Sequence, residues 1–149
     1  MDVTGPIGGF VAGFPNFIIQ FGIALGLFVA ALIIYVLMTP HKELELIRAG
    51  NPSASLAFGG VVVGLAIPLG SCLTYALGAV DLAIWGIVTL LIQIIVFRFT
   101  DIFLRDLPKR IKENDVAAAV FLMSMKIGIA LILSGAIADP NVGLIRAMQ

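Results

Sequence analysis

Charge is scarce in this chain: 12% of its 149 residues are Asp, Glu, Lys or Arg, against about 25% in an ordinary soluble domain. Meanwhile 60% are hydrophobic and the mean hydropathy is +1.12. That is more apolar side chain than a globule of this size hides from water, which excludes a soluble enzyme and a disordered tail and indicates an integral membrane protein. Cysteine is nearly absent. Cys72 stands alone and cannot make an intrachain disulfide, and no cation beside it in Gly70-Ser71-Cys72-Leu73 activates its thiol, so it reads as a packing residue. His41 is the sole histidine, with no ligand-spaced neighbour, so neither a metal nor any other cofactor is expected. The formal net charge of zero gives no general attraction to nucleic acid. Phosphate-loop, dinucleotide, zinc-protease and nucleophile-elbow motifs are all missing, and no catalytic residue is assigned.

What is present is four long apolar runs. A hydrocarbon core about 30 Å thick requires roughly 20 residues of helix, and Ile18–Met38, Ala54–Tyr75, Leu82–Phe97 (extendable through Thr100) and Val116–Ala138 approach that length. Asp2, with no Lys or Arg before the first run, argues against a cleaved signal peptide. Lys42, Arg48, Arg98, Arg105, Lys109, Arg110 and Lys112 fall in the two loops on one side, against Arg146 on the other. The positive-inside rule then predicts cytoplasmic loops and external termini. Both loops mix charge with apolar residues, over 41–48 and 101–107, as interfacial helical elbows do. Asn51 and Asn114 are expected to cap the second and fourth spans.

The two halves echo each other. Ile47-Arg48-Ala49-Gly50-Asn51 matches Ile111-Lys112-Glu113-Asn114 with one residue lost before the Asn, and an offset of 63 then pairs Ala54 with Ala117 and Phe58 with Phe121. Each half is one span, an elbow and a returning span, so both run in the same sense, and their repeat axis is expected along the membrane normal. The expected architecture is an all-α integral membrane protein whose four helices form a parallel tandem repeat of two helix–elbow–helix modules, residues 1–80 and 81–149.

At Glu45-Leu46-Ile47-Arg48-Ala49-Gly50-Asn51, the small residues after each Asn, and Gly59-Gly60, nearly the whole chain resembles the YjfL-like bacterial inner-membrane family, a domain of unknown function numbered three-fifty. Pro52, Ser53 and Ser55 depart from its usual Ala-rich continuation. The resemblance implies a multi-pass protein of the bacterial inner membrane built from two tandem modules, and carries over no catalytic residue.

Spans associate in lipid through small residues that let backbones approach. Gly22, Gly26 and Ala30 form one stripe, Gly60 and Gly64 a second, Ser124 and Gly128 a third. Their plainer use is packing within the chain, and the remainder would serve a homo-oligomer or other membrane subunits. Lys126 resists a plain account. It stands ten residues into the fourth span, about 15 Å at 1.5 Å per residue, where a cation is costly and marks a functional candidate by default. The face it shares with Ala119, Leu122, Ala130 and Leu133 is expected to turn inward. Thr89 and Gln93 are its expected neighbours, and Pro68 is expected to kink the second span and free carbonyls. No carboxylate falls inside the four runs, so a buried ion pair is not expected, and replacing Lys126 by Met should leave no charge unpaired. Two functions follow. One is a non-enzymatic subunit or scaffold of a membrane complex, self-associating in the bilayer; the other is a small oligomeric channel or carrier whose anion-attracting path is lined by Lys126.

Overall fold

The computed structural model describes residues 6–39, 43–103 and 106–137; His41, Lys42, Arg105, Arg146 and Asp2 lie outside them. Four helices are long and apolar enough to span a membrane: α1 (Pro6–Met38), α3 (Pro52–Tyr75), α4 (Ala79–Phe103) and α6 (Val116–Ile137). Two short elbows join them, α2 (Glu43–Arg48) and α5 (Leu107–Lys112). No strand occurs among the described residues. Helices are what lipid permits, because each satisfies its own backbone groups where water is missing.

The elbows explain how each pair of spans turns. Gly50 N–H donates to Ile47 O at 2.9 Å and Asn51 N–H to Leu46 O at 3.0 Å; 64 residues on, Asn114 N–H donates to Ile111 O at 3.0 Å and Asp115 N–H to Arg110 O at 2.9 Å. This paired closure needs a left-handed residue after the helix. Gly50 supplies it at φ 81° and Asn114 at φ 65°, the amide side chain making Asn tolerant of that region. The next residue caps the following span: Asn51 accepts from Ala54 N–H at 3.0 Å, and Asp115 from Ala118 N–H at 3.1 Å. Asn114 therefore ends α5, and Asp115 caps α6. The elbows align at a constant offset of 64, without the deletion the sequence suggested, because Gly50 and Asn114 occupy the same backbone position. Arg110 holds the capping carboxylate, its Nε donating at 2.8 Å. That donor and the Ala118 amide lower the Asp115 pKa, the amide more.

The elbows are also bonded to each other. Asn51 Nδ2 donates to Ile111 O at 3.1 Å, and Ser53 Oγ to Asn114 Oδ1 at 3.1 Å. At the opposite end, the Ser71 and Ser134 hydroxyls lie 2.5 Å apart. These contacts clamp α3 and α6 as parallel neighbours along their length. Between the clamps the helices touch through small residues. Ala54, Ala57 and Ala119 are wholly buried, and a Cβ at Gly60 would lie 2.7 Å from Met123 Cα, a backbone atom that cannot swing aside. Ala54, Ala57, Ala118, Ala119 and Leu122 form one apolar cluster with Leu107 and Ile111 of α5. A second cluster joins α1, α3 and α4 through Ala31, Tyr35, Val61, Leu65, Leu90, Ile94 and Phe97. Gly86 lets α1 approach α4, since a Cβ there would stand 2.7 Å from Leu27 Cδ1.

The small-residue stripes therefore differ. Gly60 and Gly64 sit at tight contacts, a Cβ at Gly64 falling 2.6 Å from Phe97 Cζ and 3.4 Å from Lys126 O. Gly22, Gly26 and Ala30 are exposed, and a Cβ at either glycine meets nothing within 4 Å; the plainer expectation of packing inside the chain does not hold for them. Ser124 is exposed and donates to Val120 O at 2.8 Å, and nothing lies within 4 Å of a Cβ at Gly128. Helix α3 is continuous through Pro68, which is buried in the core.

Gly60→Leu should separate α3 from α6 and cost about 1–3 kcal/mol or more of stability, the usual range for overpacking. Gly22→Leu should leave the unfolding midpoint of the detergent-solubilised monomer unchanged. Equal destabilisation by both substitutions would contradict the assignment of inner and outer glycines.

Candidate functional site

Lys126 is fully buried. It lies on the face of α6 that carries Ala119, Leu122 and Ala130, all buried, with Leu133 packed partly on the core. Side chains on a helix lean toward its N-terminus, so the lysine stem runs back toward the elbow end. There Lys126 Nζ donates to the Tyr35 hydroxyl at 2.8 Å and lies 3.1 Å from Asp101 Oδ1. The Tyr35 and Phe97 rings flank it, with centroids 4.9 and 5.4 Å from Nζ and edge-on to each other at 90°. Aromatic faces attract a desolvated cation. Three spans thus converge on one ammonium: α1 brings Tyr35, α4 brings Phe97 and Asp101, and α6 brings the lysine.

The Lys126–Asp101 pair overturns the expectation that no buried ion pair forms. The third apolar run, Leu82–Phe97, extends by composition only through Thr100, and Arg98 and Asp101 resemble the start of a loop. The helix instead continues through Phe103, and that added turn places the Asp101 side chain, 11% exposed, over the ammonium. Gln93, Phe97 and Asp101 recur at four-residue spacing on one face of α4, the signal by which the sequence could have disclosed the partner. Tyr35, three residues before the end of α1, carries no comparable signal.

The other expected neighbours lie elsewhere. Thr89 is buried against Cys72, with Oγ1 3.4 Å from Sγ. Gln93 is fully buried, and neither of its amide atoms has a hydrogen-bond partner. No hydrogen bond or ion pair among the described residues joins Thr89, Gln93 or Pro68 to the ammonium. Glu43, the first residue of α2, completes the surroundings. Burial raises its pKa from 4.5 to about 7; Lys126 pulls it down, Asp101 pushes it up, and a hydrogen bond with Tyr35 lowers it. No group of three His, Cys, Asp or Glu able to hold a metal ion occurs among the described residues.

Four apolar helices turned at two elbows, with one buried cation held by three of them, define a multi-pass membrane protein. The chain matches the profile of the Domain of Unknown Function (DUF350) over residues 9–137 and belongs to that family. It is 36% identical over 102 residues, 68% of this chain and 77% of the relative, to the UPF0719 inner membrane protein YjfL of Escherichia coli strain K12. The O157:H7 counterpart matches equally. No solved structure matches it. This is accordingly an inner-membrane protein of an uncharacterised family, and neither the family description nor the relatives' names state an enzymatic activity.

Asp101→Ala should lower stability by about 1–3 kcal/mol, since it removes the carboxylate 3.1 Å from the Lys126 ammonium and leaves the Glu43 carboxylate nearby. Lys126→Met should cost more, about 3–5 kcal/mol, by leaving Asp101 and Glu43 without their shared cation. The double variant Asp101→Leu with Lys126→Met should recover most of the loss, as measured by reversible unfolding in detergent; additive losses would rule out a direct pair.

Proposed function

We propose that this protein is a non-enzymatic subunit of an inner-membrane assembly that associates with further copies of itself through α1. The observation that carries this reading is the outer face of α1, where Gly22, Gly26 and Ala30 recur at four-residue spacing, all exposed, and nothing among the described residues lies within 4 Å of a Cβ at either glycine. Small residues at that spacing allow a second helix close approach in lipid. The same helix runs well past the body of the bundle: Leu27, which meets Gly86 seven residues into α4, is already 21 residues into α1. That N-terminal length presents Phe10, Phe14, Phe17 and Phe21 as an exposed aromatic row, with successive centroids 5.3, 6.3 and 6.0 Å apart. At about 50 Å, α1 exceeds a hydrocarbon core of about 30 Å, and neighbouring copies of α1 would cover the surplus.

The two modules, residues 1–80 and 81–149, descend in this reading from a parallel duplication, supported by the elbow bonds repeated at 64 residues. Both elbows face the cytoplasm and the termini face outward, supported by the loop cations. The alternative of an anion path lined by Lys126 finds less support, because Asp101 and Tyr35 already engage the ammonium.

Gly22→Leu and Gly26→Leu should shift the purified protein in nanodiscs or mild detergent to smaller oligomers, by light scattering coupled to chromatography, without lowering its helicity. An unchanged oligomer, or a monomeric wild type, would refute α1 as the association surface.

A further inference from the structure

We propose that Tyr35, Glu43, Asp101 and Lys126 form a proton-binding site at the elbow end of the bundle, which takes up one proton from the adjacent aqueous side onto the carboxyl of Glu43. With both carboxylates ionised these four residues hold two negative charges and one positive, a net charge of −1 among the described residues, set beside the Phe97 ring. Uncompensated buried charge is unfavourable, and one proton makes the cluster neutral.

Two carboxylate oxygens of the cluster also lack a hydrogen-bond donor. Lys126 donates to the Tyr35 hydroxyl and forms an ion pair with Asp101 Oδ1, while the single phenolic proton of Tyr35 lies within reach of both carboxylates. Glu43 Oε2 and Asp101 Oδ1 are both buried without a hydrogen bond, although the latter faces the ammonium across 3.1 Å. A protonated carboxyl is a donor as well as an acceptor, so protonating Glu43 relieves its repulsion with Asp101 and supplies the missing donor. Among the described residues, the groups facing Glu43 are Tyr35 from α1, Asp101 from α4 and Lys126 from α6. Glu43 is only partly buried and begins an elbow, so it is the member placed to exchange with water, and the raised pKa of Glu43 agrees with this role.

Protonation should hold the elbow on the bundle. A carboxyl whose pKa is higher folded than unfolded contributes stability that is full below its unfolded value and is lost as pH rises through the folded one. Here that loss falls between about 4.5 and about 7.

The test is infrared spectroscopy of the whole protein in nanodiscs, following the protonated-carboxyl stretch with pH. The wild type should show one band disappearing near pH 7; Glu43→Gln should lose it, and Glu45→Gln should retain it. Lys126→Met should move the titration to higher pH and Asp101→Asn to lower pH, shifts that a purely structural role would not produce. Replacing sodium by a bulky organic cation should leave the titration unmoved. No band above pH 5 in the wild type, a band surviving Glu43→Gln, a titration set by sodium, or shifts of the opposite sign would each overturn the proposal. If Glu43→Gln does not fold, the directions of the other two shifts decide.

Discussion

The ammonium of Lys126 is the constraint around which the elbow end is organised. A lysine about 15 Å along a membrane helix requires compensation close at hand, since lipid offers none. The compensation comes from two other helices: the carboxylate of Asp101, the hydroxyl of Tyr35 and the rings of Tyr35 and Phe97. In return, the charge specifies which helices meet. Apolar side chains alone give little preference between protein and lipid, so a polar knot that closes only when α1, α4 and α6 are in register contributes specificity where hydrophobic burial cannot.

The close contact of α3 with α6 makes this geometry possible. Gly60 against Met123, and Gly64 beside Phe97 and the Lys126 carbonyl, bring α6 close to α3 and α4, where the ammonium reaches its partners on α1 and α4. The Asn51 and Ser53 bonds fix the start of both helices, and the Ser71–Ser134 contact fixes the far end. A side chain at Gly60 or Gly64 would therefore disturb the ion pair as well as the helix contact. The outer surface has a different character, with Gly22, Gly26 and the row of Phe10, Phe14, Phe17 and Phe21 on α1 exposed.

Much of this was legible in the sequence because hydropathy over twenty residues is a strong signal: the four spans, both elbows and the inward face of α6 follow from run length and helical period. The ion pair was not legible, for a physical reason. Asp101 follows Arg98 closely, and a pair of charges after an apolar run resembles a loop, whereas the helix carries one more turn and lets the carboxylate point back into protein. The sequence points to a cap of α6 one residue early, because Asn serves equally well as an N-cap and as a left-handed helix terminator; only backbone bonding distinguishes Asn114 from Asp115. Which glycines face inward was also hidden, since the stripes at Gly22 and Gly60 have the same four-residue spacing and differ only in their neighbours.

The central claim is that the Lys126 charge is neutralised inside the protein by Asp101. Solid-state nuclear magnetic resonance in lipid bilayers, with nitrogen-15 in lysine side chains and carbon-13 in aspartate carboxyls, measures it directly. The account predicts a strong Nζ to carboxyl dipolar contact consistent with the 3.1 Å nitrogen–oxygen separation, lost in Asp101→Asn prepared without a labelled carboxyl at that position. A Lys126 ammonium with no carboxyl contact and strong contacts to lipid would contradict it.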